Sequence, residues 1–146
     1  MQYIFLIHSA HDFSFFVNLF HKKKPLLIIT TSIMYNAVKY NFPDTDVLKI
    51  LYFDLNKDKI KKNHLVLKNI FKLIINFFLV FYKLFLIKYK FNKATVFFCS
   101  LYSLHIMQIL RIAKMFKFNI LRKTIESGQS HKDEAVSFHH KNLKIF

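Results

Sequence analysis

Residues 63–93, NHLVLKNIFKLIINFFLVFYKLFLIKYKFNK, constrain this chain more than any other stretch. On a helical wheel of about 3.6 residues per turn, Lys61, Lys68, Lys72, Asn76, Lys83 and Lys90 fall in one narrow sector, while Ile, Leu, Phe and Val cover most of the rest. The spacing predicts a long helix with a single basic stripe. A surface helix of a soluble protein normally shows a wider polar face, so most of this one must be buried in protein, in lipid or in both.

The segments around it alternate between strand and helix signals. Residues 3–7 form a short continuous apolar run, which suits a strand buried on both faces of a parallel sheet. His8, Ser9, His11 and Asp12 make a polar elbow. Phe13, Phe16, Val17 and Phe20 then repeat at helical spacing, with Asp12 as the expected cap and Pro25 as the stop. Residues 26–30 predict a second strand, and Thr31 or Ser32 is the expected cap of a helix over 33–40. Residues 47–54 predict a third strand, ahead of the basic-stripe helix. Residues 95–99 predict a fourth strand, VFF flanked by small polar residues. An amphipathic helix follows over 101–117, with His105, Gln108, Arg111 and Lys114 on its polar face and Leu104, Met107, Leu110 and Ala113 toward the core. Residues 118–126 predict a fifth strand running into the loop ESGQS. A further strand or helix fits the tail from residue 131.

Such alternation predicts a single α/β domain with a mainly parallel, Rossmann-like sheet, whose ligands gather at the carboxyl ends of the strands. On that rim lie the His8 to Asp12 elbow, Thr30 to Ser32 with Ser100 nearby, and Glu126 to Ser130. With Gly128 as the single glycine of the chain, both a dinucleotide fingerprint and a P-loop are excluded, because each needs several glycines for backbone to approach phosphate. No G-x-S-x-G elbow occurs, which sets aside Ser-His-Asp hydrolysis. The lone Cys99 excludes an internal disulfide and a cysteine-pair zinc site, and no metal is expected. The start of the chain shows no secretory leader.

The formal charge of +15 predicts an anionic partner: phosphate-bearing lipid, nucleic acid or a nucleotide sugar. Codon bias toward Lys, Asn, Ile, Phe and Tyr competes as a source of that charge. Nucleic acid is not the expected partner, since the aromatics sit on apolar helix and strand positions. Two stretches bear on membrane crossing. In the long helix the uncharged run over 73–82 is about half of the roughly 20 residues a crossing needs. Residues 94–110 lack formal charge but divide into strand and amphipathic helix. A peripheral, headgroup-plane position is therefore expected, with Lys61, Lys68, Lys72, Lys83 and Lys90 at the membrane surface.

The order of elements, the apolar first strand with its polar elbow, the long basic helix and the segment VFFCSLYSLHIMQILRIAKMFKFNILRKTIESGQS together resemble the amino-terminal half of a bacterial GT-B glycosyltransferase. Within that group the resemblance is to the sialyltransferases and polysialyltransferases of capsule and lipooligosaccharide synthesis. It implies an acceptor-side domain in which Glu126 stands where the family has its general base, followed by Gly128, with Ser127 replacing a second acid. His8, Ser9, His11, Asp12, Ser100, Gly128 and Ser130 would contact substrate. No resident cofactor is implied, only a nucleotide-sugar donor such as CMP-sialic acid. No His-Pro dipeptide for the donor nucleotide occurs in the sequence, so the chain is expected to be an acceptor half, inactive alone, completed by a separate donor-binding domain and lying at the cytoplasmic side of the inner membrane. The alternative is a small non-enzymatic basic protein that binds anionic lipid or a partner protein.

Overall fold

The computed structural model describes residues 2–20, 22–52, 62–98, 103–123 and 143–145, with the backbone course alone for 62–66 and 143–145. Six strands, β1 (Gln2–Ile7), β2 (Leu27–Thr31), β3 (Asp46–Ile50), β4 (Ala94–Phe98), β5 (Asn119–Lys123) and β6 (Leu143–Ile145), form one sheet in the order β3-β2-β1-β4-β5-β6. The first five are parallel and β6 joins the edge of β5 antiparallel. Four helices connect them: α1 (Ala10–Phe20), α2 (Tyr35–Asn41), α3 (Lys62–Lys90) and α4 (Leu104–Met115). The α/β fold with a mainly parallel sheet is thus the one its hydrophobic pattern predicts.

Continuous apolar runs become parallel strands because side chains of period two must be buried on both faces. In β1, Ile4 and Leu6 enter one core with α3 and α4, while Phe5 and Ile7 enter the other with α1 and α2. Leu27 and Ile29 oppose Ile28 in the same way, and Val96 and Phe98 oppose Phe97. The second core is aromatic: the Phe5 and Phe16 rings stack at 4.5 Å between centroids. Because parallel crossovers are right-handed, a chain that steps outward from β1 to β3 and then returns to β4 on the other side of β1 must place its later helices on the opposite face. That reversal opens a crevice at the carboxyl ends of β1 and β4.

Boundaries differ from expectation where capping chemistry intervenes. Helix α1 starts at Ala10, earlier than the apolar spacing implies, because Ser9 and Asp12 form a reciprocal box. Asp12 N–H donates to Ser9 Oγ at 3.2 Å, and the Asp12 carboxylate accepts the His8 and Ser9 N–H groups at 3.0 and 3.1 Å. Asp12 is therefore the third helical residue and Ser9 the cap. Ser9→Ala is expected to cost about 1 kcal/mol of unfolding free energy, measured in urea. Neither Thr31 nor Ser32 caps α2: the cap position is Met34, with no side-chain bond, and the Ser32 hydroxyl instead accepts the Tyr52 N–H at 3.3 Å. In α4, His105 is buried and Leu104 is half exposed, the reverse of the face expected for them, while Arg111 and Lys114 are exposed as expected.

The candidate crossing over 94–110 resolves into β4 and α4 on either side of residues outside the described set. It is α3, between Leu67 and Lys90, that is long and apolar enough to cross a membrane by length and composition. Lys72 and Lys83, which bound the uncharged run on paper, lie against the protein.

Candidate functional site

At the carboxyl end of β1 the chain must leave the sheet, and His8 is the first side chain past the last buried residue, Ile7. Its Nε2 lies 3.2 Å from Nδ1 of His105, which α4 supplies from its first turn immediately beyond β4. The Tyr52 ring, just past β3, stacks on His105 with centroids 5.3 Å apart and planes within 9°. It also lies 6.1 Å from His8. Three elements that are distant in sequence thus place two imidazoles and a phenol together where the sheet order reverses.

Beneath these rings is a recess lined by Leu6, Ile7, Ile29, Thr31, Ile50 and Ile106, with space for no more than about one water molecule. Thr30 closes one wall by donating its hydroxyl to the Ile7 carbonyl at 2.9 Å. The neighbouring Thr31 hydroxyl is buried in the same lining and has no hydrogen-bond partner among the described residues. Buried hydroxyls are almost always paired, so an orphan at a crevice is an open valence for a ligand or a solvent molecule.

The electrostatics are those of a neutral floor. Burial holds His105 down to about 4, helped by the adjacent His8 and by Lys72, with a hydrogen bond to the Leu51 backbone acting the other way. His8 is also lowered, by burial first, with Asp12 opposing. Both rings are uncharged near neutral pH, and their mutual bond uses one N–H and one lone pair of the four ring-nitrogen groups they carry between them. A ring that protonates only near pH 4 is a weak base, so His105 suits binding and orientation better than proton abstraction at neutral pH.

Of the residues expected at the rim, His8, Ser9 and Asp12 are brought together at the β1 elbow. Ser9 and Asp12 are committed to capping α1, and Asp12 is fully buried. Their box fills the α1 N-terminus with its own carboxylate, which disfavours an anion there. His11 is exposed on the first turn of α1 and takes no part in the ring cluster. Ser100, Glu126, Gly128 and Ser130 lie outside the described residues.

Among the expected membrane-surface lysines, Lys68 and Lys90 are exposed, whereas Lys72 and Lys83 turn inward and Lys61 lies outside the described residues. Among the described residues no three His, Cys, Asp or Glu side chains could hold a metal ion together. Thr31 lies in the Thr30 to Ser32 segment expected on this rim, whereas Tyr52 and His105 were not expected at the site. For His105 a signal was available: it is the first basic residue after an apolar strand, where a helix begins beside the crevice.

No protein-family model, no curated protein and no solved structure matches this chain.

Proposed function

We propose that the chain is the acceptor-side half of a GT-B glycosyltransferase acting on bacterial surface glycans, with the acceptor seated over the rings of His8, Tyr52 and His105. The observation that carries this reading is the unpaired Thr31 hydroxyl under a neutral imidazole pair at the reversal of strand order. A sugar is a dense set of uncharged donors and acceptors, and a floor of neutral rings and an orphan hydroxyl suits it better than it suits a phosphate. The order β3-β2-β1-β4-β5 also supports the reading, since such sheets bind ligands at this crevice.

In the proposed reaction an acceptor hydroxyl attacks the anomeric carbon of a nucleotide sugar held by the donor-binding half. The ionised Glu126 carboxylate takes the hydroxyl proton as the new carbon–oxygen bond forms, and the nucleotide departs with the electron pair of the broken bond. His8 orients the acceptor through the ring nitrogen that does not face His105, while His105, bonded to His8 and to the Leu51 backbone, holds the His8 ring in place, and both remain neutral.

Proton NMR of the histidine rings tests the acceptor site directly. Titration with a panel of galactose-terminated oligosaccharides is expected to shift the His8 and His105 ring signals, and His105→Phe is expected to weaken binding about tenfold. CMP is the counter-probe and is expected to leave those signals in place. If CMP alone moves them, or if no saccharide does, the acceptor reading fails.

The competing reading, a non-enzymatic lipid-binding protein, is favoured by one observation outside the crevice, the apolar outer face of α3.

A further inference from the structure

The wheel of α3 shows a basic stripe, and the structure shows that the middle of this stripe is the dry side. Lys72 Nζ donates to the Tyr52 carbonyl at 3.0 Å, and Lys83 forms an ion pair with Asp46 at the start of β3. Asn76, between them, is 1% exposed and bonds both backbone groups of Leu51. Val80, Leu84 and Ile87 continue this face into the core. The outward side carries eleven large apolar residues from Leu67 to Tyr89 that remain exposed, among them Phe71, Phe78, Tyr82 and Phe85. That is a continuous ridge along most of the helix, where a soluble monomer shows scattered exposure.

The charge around the ridge is one-sided. From residue 62 to residue 123 there are twelve Lys and Arg and no Asp or Glu. Lys68 and Lys90 are exposed near the two ends of the ridge, and Arg111 and Lys114 are exposed on α4. α4 packs beside α3, where Gln108 donates to the Leu73 carbonyl at 2.7 Å.

We infer that this face seats the protein on an anionic bilayer, with α3 lying in the headgroup plane. The apolar ridge enters the upper acyl region, and the surrounding Lys and Arg reach lipid phosphates along extended stems. A second copy of the chain is a poorer occupant: two such faces would meet cation to cation, with no acidic residue in this stretch to pair them. Crossing the bilayer is also a poorer fit, because Lys72, Asn76, Lys83 and Leu84 tie the inner side of α3 to the sheet along most of its length. The sheet would have to follow the helix into the hydrocarbon.

The inference stands without the glycan reading. Combined with it, it adds a substrate class. Lys72 and Asn76 fix the early part of α3 to Leu51 and Tyr52, so the ridge begins at the same rim as the His8–His105 floor. The crevice then opens beside the headgroups, where a lipid-linked glycan presents its sugar.

A single-tryptophan reporter tests the membrane face, because the chain has no tryptophan of its own. Phe78→Trp places the reporter on the ridge, at a position 65% exposed, and Tyr40→Trp places a control on α2, at a position 87% exposed. With vesicles of equal parts phosphatidylcholine and phosphatidylglycerol, the emission of Phe78→Trp is expected to move to the blue and to be quenched by brominated acyl chains, while Tyr40→Trp stays unchanged. Raising salt from about 0.1 M to about 1 M is expected to weaken binding roughly tenfold or more, as is replacing phosphatidylglycerol by phosphatidylcholine. Phe78→Glu with Phe85→Glu is expected to abolish partitioning while the circular dichroism of the free protein is retained.

Binding that is indifferent to salt and headgroup, or resistant to alkaline carbonate, would overturn the inference in favour of a spanning helix. A blue-shifted Phe78→Trp emission without lipid, in a protein that sediments as a dimer, would overturn it in favour of a second copy. Absence of vesicle binding overturns it outright. None of these outcomes alters the saccharide titration.

Discussion

Asn76→Leu is expected to lower the unfolding free energy by about 2–4 kcal/mol, read as a fall in the urea midpoint with an unchanged slope. The size follows from what Asn76 replaces. β3 is the edge strand of the sheet, and at its end the Leu51 backbone has no further strand to pair with. The Asn76 side chain serves as that missing neighbour: Oδ1 accepts the Leu51 N–H at 2.8 Å, and Nδ2 donates to the Leu51 carbonyl at 2.9 Å. Leucine has the same branching and heavy-atom count as asparagine and is somewhat bulkier, so no cavity forms. What is lost is two hydrogen bonds beside α3, leaving His105 as the remaining partner of the Leu51 backbone. Asn76→Asp keeps the acceptor and loses the donor, setting a carboxylate against the Leu51 carbonyl, and is expected to destabilise as well. A change below about 0.5 kcal/mol for both variants would mean that α3 is held to the sheet by its apolar contacts alone.

The same residue shows where sequence reasoning stops. A helical wheel places Asn76 among lysines and gives their common sector correctly, but periodicity does not say which sector faces the protein. That depends on partners far away in the chain: the Leu51 and Tyr52 backbone for Asn76 and Lys72, and Asp46 for Lys83. Charged stems are normally assigned to water, and here they meet strand ends that need them while the aromatic side is left outward. By contrast, β1, β2 and β4 were legible because burial on both faces demands uninterrupted apolar residues, and few other structures make that demand. The β1 elbow was half legible. HSAHD reads as a cap, but Ser9 and Asp12 are each competent cap residues, and the reciprocal box that assigns both roles needs backbone geometry. His105 was misplaced because spacing by three groups it with Gln108, Arg111 and Lys114. Only the last two of these four are exposed. Gln108 is spent on the Leu73 carbonyl and His105 on His8.

The burial of His105 also fixes how stability depends on pH. An unfolded histidine titrates near 6.5, whereas in the folded protein burial holds His105 to about 4, with the neighbouring His8 and Lys72 pushing the same way. Between these values the unfolded chain binds a proton that the folded chain refuses, so stability falls as pH falls. The contribution of the neutral ring is present in full above about 6.5, is lost progressively toward about 4, and changes no further below that. Solvent screening at the rim keeps the contribution below the roughly 3 kcal/mol that the full shift would give. Urea unfolding measured across this range is expected to show that loss in the wild type and a markedly shallower one in His105→Gln. Carboxylates titrate in the lower part of the same window, but they are common to both proteins, so the difference between the two curves isolates His105. His8 is lowered as well, and the two rings are coupled. Protonating either puts a positive charge about one hydrogen bond away from the other, 3.2 Å between ring nitrogens, so the second proton is harder to add than the first. His105 takes the second of the two protons, so His8→Gln should raise the His105 ring titration, followed by NMR, part of the way toward the ordinary histidine range. Parallel stability curves for wild type and His105→Gln, together with a His105 titration unmoved in His8→Gln, would show that the rings do not share a buried, neutral floor. A saccharide resting on that floor would extend its desolvation, so ligand affinity is expected to fall together with stability as the pair is driven to take up a proton.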